Sequence, residues 1–447
     1  MLLQLAERLE KITFDKLDKK TAKKTKIAIM NYIGGSLPGA DAGVTAAEKA
    51  MWESFCTTGS CVVIGHRYRT SAPAAAAVNA AMGQVFLQED CHEKTLSHPG
   101  VIVIPVALAL GQAMRASGRK FIEAVVAGYE GQGRIGIGLI RPGFPQNGLR
   151  PASFVGPFGA ASAAAKMLGL DAAGIRDAVS VAGNTAAGVM EFSISGTEDI
   201  CIQNCYSAKN GMMAAIEAKH GLRGAPSILE GRFGLGIALN DVRCDWSSLA
   251  DDDDYVIDDT FIKIYPGCGH VLPTAQAAVA LVKKHKIKAE DVKRVVVGTK
   301  PGGKAFPGCD NKGPFAGTIS AMMSHQFMAA SAIVTGNVDI AAIKRFADPE
   351  INALAERIFV EVDDEVTAAG HEKSGGRLTV EKNDGTVLTD YQEDTVPQSD
   401  EGVRQRLAVN GREYFSESRI EKIIDTVERL EELDDINDLA DLLEPDK

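Results

Sequence analysis

A chain of 447 residues has room for two or three domains and a large core. A formal charge of −11, with no basic stripe interleaved with aromatics, argues against a nucleic-acid partner. The eight cysteines are scattered without a CxxC pair, and the closest pairs (Cys56/Cys61 and Cys201/Cys205) lack a matching second half, so free cytosolic thiols are expected rather than a metal site.

Residues 2–35 read as two helices, the second closing at Gly34-Gly35. The opening MLLQLAERLEKI carries acid and base at helical spacing, unlike a signal peptide. Apolar runs elsewhere are too short or too interrupted to span a bilayer. The expectation is a cytoplasmic protein without a membrane partner. A helix is expected over Ala46–Phe55, an isolated strand or turn at Cys61–Gly65, and helix after helix from Ser71 to Ile140. A loop rich in proline and glycine, Arg141–Ala152, leads to helices at Phe154–Leu168 and from Asp171 to Ala187. Glu191–Gln203 reads as a loop and Tyr206–His220 as a helix.

The pattern changes at Asp251–Asp254, a solvated boundary rather than a metal site because adjacent carboxylates seldom converge on one ion. Tyr255–Ile264 and Val292–Thr299 read as strands around a helix at Thr274–His285. Helices are expected at Ile319–Thr335 and Ile340–Phe346, a strand at Arg357–Val362, and a hairpin at Arg377–Asp390 turning on Asn383-Asp384-Gly385. Beyond Pro397 helical periodicity returns, with Ser416 or Ser418 capping Ile420–Leu433. The fold class is therefore mainly α. A large all-helical domain built from both chain ends (1–254 and 397–447) holds an inserted smaller α+β lid domain (255–396).

Gln88–Gly100, QEDCHEKTLSHPG, packs three carboxylates, two imidazoles, two hydroxyls and a thiol between two buried helices. Polar groups there must be hydrogen-bonded or face a cavity, since burying one unpaired costs about 1–3 kcal/mol. A solvated loop ending in a helix cap is the alternative.

With these segments placed, the chain resembles the MmgE/PrpD family, which includes 2-methylcitrate dehydratases, cis-aconitate decarboxylases and iminodisuccinate epimerases. The resemblance runs nearly end to end. It is carried by Ala28–Gly39 (AIMNYIGGSLPG), Ala74–Gly100, Gly159–Leu170 (GAASAAAKMLGL), Ala208–Gly236, Tyr265-Pro266, Ser324 with Phe327, and Ile420–Leu443. It implies an active site between helical domain and lid, a homodimer, a small carboxylate substrate, and no cofactor or metal. Four positions depart from the family pattern. A lysine is replaced near Ile200, one histidine near Gln203 and another at Arg150, and the lid's Cys-Arg-x-x-His reads Cys268-Gly269-His270-Val271-Leu272.

Reactions of this family lose a proton, or carbon dioxide, next to a carboxylate, so they need a base and cationic donors for the enolate-like charge. His98, just before Pro99-Gly100, is the first candidate base, with a helix cap as its bland reading. Asp90 would orient an imidazole or bind a substrate hydroxyl, or else cap a helix. His92, Tyr265 and His270 are further acid/base candidates. The resemblance points to Arg150, Ser153, Gln203 and Lys209 as substrate-binding. Arg150 has the planar fork that suits a carboxylate, whereas a helix-end lysine such as Lys209 is commonly solvated. Cys91 would tune polarity, with nothing to support a catalytic thiol. The resulting expectation is a cofactor-independent lyase of the dehydratase type, a hydro-lyase on a small hydroxy di- or tricarboxylate. An epimerase of a dicarboxylate and a non-catalytic carboxylate-binding paralogue are the rivals.

Overall fold

A computed structural model describes residues 1–140, 144, 148–240, 244–250, 254–370 and 373–447. Most of the aspartate run read as a boundary, and most of the loop before Leu149, lie outside the described residues.

The helices begin where the sequence supplies side-chain acceptors for their first free N–H groups. Asp18 accepts from the Thr21 amide at 2.7 Å ahead of Lys19–Ser36. Asp171 does the same for Gly174 at 2.8 Å ahead of Ala172–Gly183, and Ser416, of the two serines considered, for Arg419 ahead of Glu417–Glu428. Gly100–Met114, Gly118–Leu139, Pro151–Leu168 and Asp199–Lys219 form the centre of the helical layer. Every residue of the first from Gly100 to Gln112 is buried, and each large aliphatic side chain there stabilises the fold by about 1.5–3 kcal/mol. The C-terminal helices Asp400–Gly411 and Glu417–Glu428 return to this layer, where Leu407 and Ile423 join the same core as Ile29 and Ile102.

A second core gathers residues 271–380 around a four-stranded sheet. Its strand order is Ile358–Val362, Val292–Thr299, Gly376–Lys382, Val387–Gln392, with the first pair parallel and the others antiparallel. Helices Leu272–His285 and His325–Thr335 belong to this core. Phe86, Phe192, Ile200 and Cys201 belong to it too, so the sheet region packs directly on the helical layer.

Several segments differ from the sequence reading. Tyr255–Ile264 is a short 3-10 turn followed by a two-residue strand, Phe261–Ile262, which pairs with Asp90–Cys91 rather than with the larger sheet. Ile200 and Gln203 lie on a helix that begins at Asp199, after the left-handed Gly196. Cys61–Val62 is paired, with Arg69–Thr70. Ser324 divides the helix expected at Ile319–Thr335 by capping a second one, accepting from the Phe327 amide at 3.0 Å.

Candidate active site

The segment Gln88–Gly100 is not a solvated loop. Glu89, Asp90, Cys91, His92, Thr95 and Ser97 are all buried. Asp90–Cys91 is a strand, and His92 and Ser97 then close a tight turn through reciprocal backbone bonds at 2.9 and 3.3 Å. That turn separates the two imidazoles.

His98 lies 17% exposed, with Nδ1 donating to the Asp90 carbonyl oxygen at 3.0 Å and standing 3.4 Å from Glu89 Oε1. Both neighbours are acceptors only, so Nδ1 carries the hydrogen and Nε2 keeps the lone pair. Burial, reinforced by the Lys263 ammonium and Arg150, pushes the imidazole down to about 3 against the opposing pull of Glu89. His98 is therefore neutral across the physiological range, and its titration is displaced from the ordinary histidine value near 6.5 that an unperturbed base would show.

Asp90 performs the capping role that was its alternative reading. Its Oδ1 accepts from the Gly100 amide at 3.0 Å at the start of Gly100–Met114. A Cβ on Gly100 would stand 2.6 Å from that oxygen and 2.8 Å from the Tyr129 hydroxyl, which explains the glycine. Asp90 Oδ2 has no hydrogen-bond partner among the described residues. Burial raises this carboxyl to about 6, although Tyr129 and the Gly100 amide act the other way. The Tyr129 hydroxyl is raised in turn by burial and by Asp90, and stays protonated.

Glu89 and Lys263 form a buried ion pair, Nζ to Oε1 at 2.6 Å, with each side chain 1% exposed. Burial alone would raise Glu89, but Lys263 and then His98 outweigh it and hold the carboxyl below its usual range. Lys263 is the principal residue that sequence reasoning missed. The available signal was a lone lysine inside the apolar run Phe261–Ile264.

Arg150 immediately precedes Pro151–Leu168 and is 4% exposed. Its Nη1 donates to Asn204 Oδ1 at 2.8 Å, the Ile200 carbonyl at 3.3 Å and Gln203 Oε1 at 3.5 Å, while the guanidinium lies over the Phe192 ring at 5.8 Å. No carboxylate bonds it, and Nη2 and Nε have no hydrogen-bond partner among the described residues. Burial lowers the group to about 10, opposed chiefly by Glu89, so it remains a cation. Ser153 donates its hydroxyl to the Arg150 carbonyl at 3.0 Å, and Gln203 anchors to the Val189 carbonyl at 2.9 Å. Both support the arginine. Gly188, at φ +134°, leaves room for the first turn of Pro151–Leu168: a Cβ there would stand 2.1 Å from Ser153 Oγ.

Among the described residues, the remaining candidates make no side-chain hydrogen bond or ion pair with this cluster. His92 bonds Thr95 Oγ1 at 2.7 Å and approaches Asp259 Oδ2 at 3.5 Å, lining a separate cavity of about 720 Å³ with Lys94, Arg8 and Tyr255. His270 packs at a tilt against Phe306 with ring centroids 4.5 Å apart, and burial together with Lys300 pushes it down to about 4. Tyr265 is half-buried against the second core. Lys209 lies over the rings of Tyr206 at 4.6 Å and Trp52 at 5.7 Å, in the middle of Asp199–Lys219 rather than at a helix end. Burial pushes the Cys91 thiol up, leaving it unreactive. Among the described residues no three histidine, cysteine or acidic side chains converge to hold a metal ion, and no helix is long and apolar enough to cross a membrane.

Residues 3–243 match the MmgE/PrpD N-terminal domain and residues 265–432 the MmgE/PrpD C-terminal domain. The chain belongs to the MmgE/PrpD family. Curated relatives similar to this family member include the cis-aconitate decarboxylase of Aspergillus terreus (strain NIH 2624 / FGSC A1156), 24% identical over 89% of this chain and 85% of the relative. The cis-aconitate decarboxylase of Mus musculus is 25% identical over 91% and 86%, and that of Homo sapiens 24% identical over 92% and 88%.

Proposed function

We propose that the protein is a cofactor-independent lyase that removes water from a small hydroxy di- or tricarboxylate. The observation carrying this reading is the fixed tautomer of His98: a neutral ring with its lone pair on Nε2, beside two buried cations. The free Nη2 and Nε of Arg150 would take one substrate carboxylate in bidentate fashion. Lys263, already sharing Glu89, would face the charge that develops next to another. His98 Nε2 then removes the proton from the carbon beside that carboxylate, the carbon–carbon double bond forms, and the carbon–oxygen bond breaks. Hydroxide leaves as water with a proton from Asp90, whose carboxyl is raised to about 6 before any substrate arrives. An anionic substrate raises it further, because a second negative charge disfavours ionisation.

Decarboxylation is the second reading, favoured by the activity for which the relatives are named. There the carboxylate leaves as carbon dioxide, and Asp90 or Tyr129 returns a proton to the carbanion. Incubation in deuterium oxide with citrate, methylcitrate, aconitate, tartrate and iminodisuccinate separates the outcomes. Dehydration gives an unsaturated product absorbing in the ultraviolet without loss of carbon; decarboxylation gives carbon dioxide and deuterium at the vacated carbon. Inversion with exchange and no new chromophore would indicate an epimerase. Binding that raises the melting temperature with no exchange or turnover would leave a carboxylate-binding paralogue and overturn the proposal.

A further inference from the structure

Arg406 comes from the C-terminal helix Asp400–Gly411 and is 7% exposed. Its Nη1 donates to Asn31 Oδ1 at 2.5 Å and to the Gln88 carbonyl at 3.2 Å. Its Nη2 donates to the carbonyls of Lys263 at 2.6 Å and Ile264 at 3.0 Å. Every acceptor is neutral and no carboxylate bonds the group; burial lowers it to about 10, with the Glu89 charge opposing. A cation retained under those terms suggests a role beyond cohesion.

Three of the acceptors, the carbonyls of Gln88, Lys263 and Ile264, flank the two strands that carry the candidate site, and the fourth, Asn31, lies on the helix Lys19–Ser36. Asp90–Cys91 and Phe261–Ile262 are paired, but one step further the ladder opens: the Lys263 amide reaches the Glu89 carbonyl only at 3.4 Å. That opening is where the side chains of Glu89 and Lys263 meet. Arg406 spans it, one nitrogen on Gln88 and the other on Lys263 and Ile264. We infer that Arg406 is a positioning residue that holds Lys263, Glu89 and through them His98 in register for catalysis. This rests on the lyase reading for its kinetic consequence but not for its structural one.

Arg406 also lines a cavity of about 400 Å³ with Gln405, Asn410 and Asp339, which gives a small cation a way in once the side chain is shortened. Arg406→Ala, Arg406→Lys and wild type are compared with and without millimolar guanidinium, with sodium chloride as the ionic-strength control. Arg406→Ala should lose about tenfold to a hundredfold in kcat, the scale of misplacing reacting groups by up to an ångström, with KM changing far less. Guanidinium, but not sodium, should restore much of it, and Arg406→Lys should fall between.

A second readout needs no activity. The ring of His98 is faced by Glu89 and Asp90 on its own segment, Lys263 on the opposite strand and Arg150 on the helical layer. Its selectively labelled carbon resonance, identified by its absence in His98→Gln, should titrate about one unit or more higher in Arg406→Ala and return with guanidinium. If wild type turns over no polycarboxylate, the lyase reading fails and the inference is judged on this resonance alone. A folded Arg406→Ala protein with unchanged kcat, or with an unmoved His98 titration where no turnover exists, overturns it.

Discussion

Replacing Lys263 by methionine should destabilise the protein more than replacing both Lys263 and Glu89. At 2.6 Å and an effective dielectric of about 20, the attraction within the pair is about 6 kcal/mol. This is of the same order as the several kcal/mol per ion needed to strip water from two groups that are each 1% exposed. The intact pair is thus close to neutral for stability, while Lys263→Met alone strands a carboxylate in the interior at about 3–5 kcal/mol. For 447 residues the unfolding entropy is about 0.9 kcal/mol per degree, so the single variant should melt about 3–5 °C below wild type. Glu89→Gln added to Lys263→Met removes the stranded charge and should recover most of that loss. Calorimetry of wild type, both single variants and the double completes the cycle. A Lys263→Met protein melting with wild type, or a double variant melting below it, would refute the reasoning.

Arg150→Gln should weaken binding of a true polycarboxylate ligand by about tenfold to a hundredfold, the worth of a charged hydrogen bond; calorimetric titration showing unchanged affinity removes Arg150 from the site. His98 and Asp90 should tilt stability with pH in opposite senses. The His98 ring, lowered from 6.5 to about 3, contributes stability that is full above pH 6.5 and lost as pH falls toward 3, by about 1.4 kcal/mol per unit. The Asp90 carboxyl, raised from 3.8 to about 6, costs stability progressively as pH rises through that interval. His98→Gln should therefore leave a fold that weakens with rising pH between 4 and 6, and Asp90→Asn one that strengthens; denaturant midpoints across that range that do not diverge would contradict both assignments.

The parts of the fold legible in the sequence are those fixed by local chemistry. Val292–Thr299 is the strand its β-branched residues predict, and Asn383-Asp384-Gly385 turns the hairpin with Gly385 at φ +86°. Asp171 and Ser416 cap where their positions before apolar periodicity suggest. What failed was non-local. Tyr255–Ile264 has the composition of a sheet strand, yet two of its residues pair with Asp90–Cys91 from a distant part of the chain, a register no local pattern encodes. The candidate site divides the same way. The density of polar groups in Gln88–Gly100 announces itself, and Arg150 follows from family resemblance. Lys263 and Arg406 are cations of a kind almost always exposed, and their partners are a carboxylate and backbone carbonyls supplied by segments far away in sequence. Conversely, His92 and His98 look equivalent in sequence, and only the turn between them sends one to Asp259 and the other to Lys263 and Glu89.

Two of the departures from the family pattern are physically linked. The resemblance places a lysine near Ile200 and a histidine at Arg150, and here the Ile200 carbonyl accepts from Arg150 Nη1 at 3.3 Å while the Ile200 side chain is 4% exposed. A lysine at 200 in this protein would bury a second ammonium near a guanidinium that already lacks a bonded carboxylate. On that reading the cation at 150 stands in for one at 200, so the two positions should tolerate exchange only together. Ile200→Lys alone should destabilise by several kcal/mol, the cost of an uncompensated buried charge. Ile200→Lys with Arg150→His, which restores a neutral ring beside the lysine, should recover a large part of that loss and rebind polycarboxylates. The comparison needs only melting temperatures and ligand titrations of three variants. If Ile200→Lys folds and binds as wild type does, the two positions are independent, and the arginine is not the lysine's replacement.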